Sequence, residues 1–261
     1  MSINRCMDFD YLICCGDSFT EGCQDLLDIS MSETWPGLLG SKLGIPVANL
    51  ASGGSSNYDI ALQPVQKMHQ FTTENPPKKP LFIFAFTIDH RIPYYDVKSG
   101  SVQSFFTVLP EHIDSLDDDS NIKKIISLTG TTSINQSTGL VGTLDKSDPV
   151  QDYCLLQTNN AIKVANNYAN LYKDATVVWG FIHSYSPEDD VRTRIDSDIN
   201  AYSVNFPYWQ NCFNIYNDNK PLQNITTSTE LWISKNDCHP NKKGLEHYSN
   251  WFYKFINTKF A

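Results

Sequence analysis

The sequence predicts an α/β chain built on a parallel sheet, and three observations carry that expectation. Short apolar runs of strand length recur along the 261 residues, stretches of helical spacing lie between them, and the two kinds alternate. A hydrophobic share of 41% is enough to build a sizeable core, in one large domain or two small ones.

The expected strands are Tyr11–Cys15, Val47–Ala51, Leu81–Thr87 and Thr176–Ile182, each a short apolar run. Between them, Glu33–Leu43, Tyr58–Phe71 and Tyr153–Tyr172 read as helices. A last helix is expected from Lys242 to Phe260, where Leu245, Tyr248, Phe252 and Phe255 fall at spacings of three and four and share one face, which should pack on the sheet. Residues 92–150 and 184–228 fit this scheme poorly: the first is rich in Ser, Thr and Gly, the second in Asn, Asp and Tyr. Both follow expected strands and read as insertions at the end of the sheet where ligands bind. The acidic run Asp117-Asp118-Asp119 reads as a solvated loop, because it lacks the spaced oxygen ligands and glycine of a calcium loop. No internal repeat is visible.

Charge and cysteine usage narrow the function classes. A formal net charge of -9 and the lack of a basic face argue against nucleic-acid binding. The chain has few arginines, Arg5, Arg91, Arg192 and Arg194, so Arg91 at a strand end stands out. Seven cysteines, two of them adjacent at Cys14-Cys15, form no framework and read as reduced, buried thiols. The N-terminal MSINRCMDFDYLICC has no export pattern and no segment approaches a membrane span, so the expectation is a soluble, cytoplasmic protein with no membrane partner. On that basis Asn135-Gln136-Ser137 and Asn224-Ile225-Thr226 are chance matches to the glycosylation pattern.

Three stretches carry chemistry. The first strand stops at Gly16-Asp17-Ser18, where Ser18 reads either as part of a helix cap or as a nucleophile at the carboxyl end of a strand. Asn236-Asp237-Cys238-His239-Pro240-Asn241 reads as a loop before the last helix; His239 suits a general base, and Asp237, two positions away on the same loop, can orient its imidazole, although a His-Pro pair before a helix is also an ordinary turn. After the second strand, Ala48-Asn49-Leu50-Ala51-Ser52-Gly53-Gly54-Ser55-Ser56-Asn57 reads as a tight turn or as a loop whose backbone N–H groups approach a substrate carbonyl. It has no following Lys and no P-loop spacing.

Taken together, Gly16-Asp17-Ser18, Asn49 with Gly54 five residues on, and Asp237-x-His239-Pro240 resemble the SGNH (GDSL) hydrolase family, and Trp35-Pro36-Gly37-Leu38-Leu39 resembles a helix often found between its first two strands. The resemblance covers both ends of the chain and the strand pattern between, but not the two insertions. It implies one domain over residues 1–261 with a flavodoxin-like, three-layer α/β/α sandwich around the parallel sheet. It also implies Ser18 as nucleophile, His239 as general base, Asp237 as its partner, and the Ser18 and Gly54 N–H groups as oxyanion donors.

The chain departs from the family pattern in two places. Many members carry Gly-x-Asn-Asp after the third strand, with the Asn completing the oxyanion hole, whereas this chain reads Phe86-Thr87-Ile88-Asp89-His90-Arg91. The Thr87-x-x-x-Arg91 arrangement is similar to a variant of phage-encoded relatives, which leaves Thr87 or Asn57 as the third donor and Arg91 as a substrate contact. Alternatively, Thr87 ends a strand and Arg91 pairs a surface carboxylate. Many members also place the aspartate three residues before the histidine, where this chain has Asn236; Asp237 is preferred because an amide cannot balance an imidazolium charge.

The function expected from the resemblance is a serine esterase of small acyl groups that needs no metal or other cofactor. Tyr- and Asn-rich insertions, such as Tyr94-Tyr95 and Tyr202–Tyr208, point to a carbohydrate ester and an O-deacetylase. An acyltransferase on the same scaffold, and a non-catalytic carbohydrate-binding or virion protein, are the alternatives. The oligomeric state is left open.

Overall fold

A computed structural model describes residues 8–73, 76–87, 91–96, 101–106, 149–171, 174–182, 212–214, 229–234 and 237–260. Strand β1 (Tyr11–Gly16) lies between β2 (Val47–Asn49) and β3 (Pro80–Phe86), and both pairings are parallel. A hairpin of β4 (Arg91–Asp96) and β5 (Ser101–Phe106) follows. Strand β6 (Thr176–Phe181) then pairs with β3, and β7 (Cys212–Asn214) adds to β6, both in parallel. The sheet order is therefore β2-β1-β3-β6-β7, an all-parallel arrangement. Such a sheet must be covered on both faces, because crossover helices lie there.

The sequence supplies both covers through the two-residue period of the strands, which sends alternate side chains to opposite faces. Leu12, Cys14, Leu81, Ile83, Ala85 and Val178 join one buried cluster, whereas Ile13, Cys15, Phe82, Phe84, Phe86, Val177 and Trp179 join the other. The first is covered by α3 (Trp35–Leu43) and α7 (Lys242–Phe260), with Trp35 and Phe252 stacked at 4.4 Å between ring centroids. The second is covered by α4 (Asn57–Leu62) and by α6 (Pro149–Leu171), which contributes Ala161, Ile162, Ala165 and Tyr168. The molecule is an α/β/α sandwich. Burial pushes the Cys14 and Cys15 thiols well above their usual range, so both stay protonated within opposite halves of the core.

Four expectations are corrected. The helix expected over 58–71 is two, α4 and α5 (Pro64–Thr73), because Pro64 has no N–H to continue the ladder of α4 and instead opens the next helix. The helix expected from Glu33 begins at Trp35 after a 3₁₀ turn, Met31–Glu33, with the Thr34 hydroxyl capping Gly37 N–H at 3.4 Å. The expected insertions are not uniformly loop: the first begins with the β4–β5 hairpin, and the second contributes β7 to the main sheet. The stretch around Asp237 is a strand rather than a loop, β9 (Asp237–Pro240), antiparallel to β8 (Trp232–Ser234). The acidic run 117–119, Asn236 and both glycosylation patterns lie outside the described residues. Among the described residues no helix is long and apolar enough to cross a membrane.

Candidate active site

Strand β1 ends at the carboxyl edge of the sheet, and the chain turns at once into the short helix α1 (Ser18–Glu21). Asp17 is buried in that turn, and its carboxylate accepts the Phe19 N–H at 3.0 Å, so this aspartate caps the helix and the neighbouring serine is left to face outward. Gly16 permits the sharp turn: a Cβ there would strike the Thr20 hydroxyl. Asn49 fastens the same turn from β2, its Nδ2 donating to the Thr20 carbonyl at 2.9 Å while its Oδ1 accepts Ala51 N–H at 3.2 Å.

From the far end of the chain, β9 brings a histidine to this serine. Asp237 and His239 are two apart on an extended strand, which puts both side chains on one face. The Asp237 Oδ1 lies 2.6 Å from His239 Nδ1 and also accepts the His239 backbone N–H at 3.0 Å. A carboxylate can only accept, so the ring proton sits on Nδ1 and leaves Nε2 as an acceptor. Nε2 lies 2.8 Å from Ser18 Oγ. The Phe19 ring packs against the imidazole at 4.9 Å between centroids and limits its rotation. Burial pushes the Asp237 carboxyl up, yet the hydrogen bonds from the His239 ring and backbone, with the ring's charge, outweigh it and hold the group below its ordinary 3.8. The aspartate is therefore ionised wherever the histidine can act as a base.

The loop after β2 runs past Ser18. Gly53 donates its N–H to Glu21 Oε2 at 2.9 Å, and an added Cβ there would meet the same oxygen at 3.0 Å and lie in ordinary contact with Ser18 Cβ at 3.8 Å. Gly54 is exposed and adopts φ +80°, the left-handed region that an L side chain disfavours. Ser56 then caps α4 in a reciprocal box with Asp59.

The two candidates for a third donor stand in different positions. Asn57 is 3% exposed and its carboxamide is engaged inside the protein: Oδ1 accepts Thr87 N–H at 2.8 Å and Nδ2 donates to Thr158 Oγ1 at 3.0 Å. It ties the end of β3 to α4 and α6. Thr87, directly after β3, is fully buried, and its hydroxyl finds no hydrogen-bond partner among the described residues. Arg91 opens β4 opposite Phe106; its side chain lies outside what is described. Among the described residues no group of His, Cys, Asp and Glu side chains is placed to hold a metal ion.

Sequence reasoning missed three residues that shape the site: Phe19, Glu21 and Gln63. Phe19 had a signal, since an aromatic beside the outward serine of a turn must pack on whatever approaches that serine. Gln63, at the junction of α4 and α5, had none, because its partners lie on backbone 47 residues away.

No protein-family model and no curated protein matches the chain. Among solved structures it is similar to a member of the lipolytic G-D-S-L family from Veillonella parvula, at 12% identity and a TM-score of 0.45 over 92% of this chain and 94% of the other. It is similar to a psychrotrophic esterase from Pseudoalteromonas at 14% identity and a TM-score of 0.47, covering 95% and 97%. It is also similar to an acetyl xylan esterase from the rumen bacterium Butyrivibrio proteoclasticus at 13% identity and a TM-score of 0.49, covering 96% of this chain and 64% of that one.

Proposed function

We propose that this protein is a serine hydrolase of the SGNH type that cleaves carboxylic esters of small acyl groups. The observation that carries the reading is the continuous hydrogen-bonded line from Ser18 Oγ through His239 to Asp237, with contacts of 2.8 and 2.6 Å, at the carboxyl edge of a parallel sheet. A structural serine has no need of an imidazole whose other nitrogen is held by a carboxylate.

In this mechanism Ser18 Oγ attacks the ester carbonyl carbon and its proton passes to His239 Nε2. The developing oxyanion is stabilised by the Ser18 and Gly54 N–H groups; of the two side chains considered for a third donor, Thr87 is the one whose hydroxyl is not already committed among the described residues, and it must become accessible to serve. Collapse breaks the ester C–O bond, and the leaving alcohol takes the proton from His239. Water then attacks the acyl group on Ser18, giving its proton to His239, and the second collapse releases the acid and restores the serine. Asp237 holds the imidazole and balances its charge while it is protonated. Arg91, at the start of the β4–β5 hairpin, is assigned to the substrate. Carbohydrate O-acetyl esters are the proposed substrates, on the strength of the tyrosines and asparagines in residues 92–150 and 184–228.

A fluorophosphonate probe followed by peptide mapping tests the chemistry, with labelling expected at Ser18 and absent from Ser18→Ala and His239→Ala. Both variants should lose turnover of an aryl acetate to a similar extent, because members of such a line act as a unit. Wild-type turnover by Ser18→Ala would refute the mechanism. Release of acetate from O-acetylated xylan, against a lipid ester control, tests the substrate class.

A further inference from the structure

Strand β2 stops at Asn49, opposite Cys14, whereas β1 runs on to Gly16. Beyond that point Leu50 N–H reaches the Cys14 carbonyl at 2.8 Å and Ser52 N–H reaches the Gly16 carbonyl at 3.2 Å. The Gly16 N–H is met differently. Gln63 Oε1 accepts it at 2.9 Å, and Gln63 Nε2 donates back to the Gly16 carbonyl at 2.9 Å. A primary carboxamide carries an acceptor and a donor side by side, as a peptide unit does, so one side chain closes the rung where the strand has ended. Its second Nε2 hydrogen points to Ser55 Oγ at 3.2 Å, and the Ser55 hydroxyl donates to the Ser52 carbonyl at 2.8 Å.

Gly16 is two residues before Ser18 and Ser55 directly follows Gly54, so Gln63, bonded to the Gly16 backbone and to the Ser55 hydroxyl that in turn holds the Ser52 carbonyl, links two segments whose spacing decides how far the serine oxygen stands from the oxyanion donors. We propose that Gln63 is a positioning residue that fixes the turn carrying Ser18 against the Ser52–Ser55 loop for ester hydrolysis. This rests on the serine-hydrolase reading above. The side chain touches no reacting atom. Its contribution is geometric, and misplacement of a reacting group by about 1 Å can cost on the order of 100-fold in rate.

Gln63→Ala and Gln63→Glu, compared with wild type in steady-state hydrolysis of an aryl acetate, test the assignment, with circular dichroism to follow folding. Gln63→Ala should lower kcat about 10- to 100-fold while KM stays within about threefold, since the substrate contacts remain. Gln63→Glu supplies an internal control. Its carboxylate offers no donor and opposes the Gly16 carbonyl, whereas its protonated acid regains one donor. The ratio of its kcat to that of wild type should therefore rise as pH is lowered from about 8 to about 5, in one folded protein. If Gln63→Ala does not fold, this pH profile decides the question. A folded Gln63→Ala with parental kcat, or a Gln63→Glu ratio that is flat with pH, overturns the positioning role alone. A wild-type protein that neither hydrolyses the ester nor labels at Ser18 overturns the hydrolase reading and the inference with it.

Discussion

The substitution Asp237→Asn separates charge from orientation at the imidazole. In the structure one oxygen, Oδ1, accepts both the ring Nδ1–H and the His239 backbone N–H. An asparagine can set its carbonyl oxygen in that place and keep both bonds, so the ring stays aimed and only the negative charge is removed. Opposite charges about 4 Å apart attract by about 1 kcal/mol in water and about 4 kcal/mol near a protein surface. The side chains of His239 and Asp237 are 30% and 32% exposed, which screens the pair toward the lower half of that range. At about 1.4 kcal/mol per tenfold, kcat should fall by about 5- to 60-fold. Asp237→Ala removes the orienting bonds as well and should cost more, on the order of 10,000-fold, as loss of the aspartate does in other triads. The assay is kcat for aryl acetate hydrolysis by folded variants, with Asn236→Ala as the neighbour expected to be indifferent. Parental kcat in Asp237→Asn would refute the charge argument, and a larger loss in Asn236→Ala would show that the wrong neighbour was assigned. Equal losses in the Asn and Ala variants would refute the claim that orientation is retained.

Three further outcomes follow from the same contacts. Thr87→Val removes a buried hydroxyl with no partner among the described residues at nearly constant volume, so stability should hold or rise by about 1 kcal/mol in thermal melts. If that hydroxyl donates to the oxyanion, kcat falls about 100- to 1,000-fold at the same time, and unchanged turnover would remove Thr87 from the oxyanion hole. Asn57→Ala leaves the Thr87 N–H and the Thr158 hydroxyl buried without their partner and should destabilise by about 2–4 kcal/mol, read by urea denaturation. The Asp237 carboxyl is held below 3.8 in the folded protein, so its contribution to stability is present above that pH and is lost as pH falls through the lower folded value; acid unfolding of Asp237→Asn should lack this component.

Much of the scaffold was legible because its causes are local. The apolar runs at Tyr11, Leu81 and Thr176 are strands because no other element suits short unbroken apolar segments between helical patterns, and Leu245, Tyr248 and Phe252 lie buried along α7 as their spacing required. That Ser18, His239 and Asp237 come together was legible from the short motifs that carry them, although the residues stand at opposite ends of the chain. Strand β7 was not, since its three residues, Cys212–Asn214, gain their strand character from the edge offered by β6. The division at Pro64 lies in the residue itself, which has no N–H to continue a helix, whereas helical periodicity runs unbroken across it. Asn57 illustrates the opposite limit. A polar residue beside the glycine loop reads as a donor to substrate, yet its two buried bonds to Thr87 and Thr158 come from segments 30 and 101 residues away.

The serine and histidine that meet at 2.8 Å are 221 residues apart in sequence, and they meet only when β9, next to the α7 that covers the first face of the sheet, is brought against the turn after β1. An incompletely synthesised or partly unfolded chain therefore carries the hydroxyl without its base, and in that state Ser18 is an ordinary, unreactive alcohol. On the hydrolase proposal, turnover of an ester would report how many molecules hold this junction, and a chain nicked at a site remote from it should stay competent for as long as its two ends remain docked.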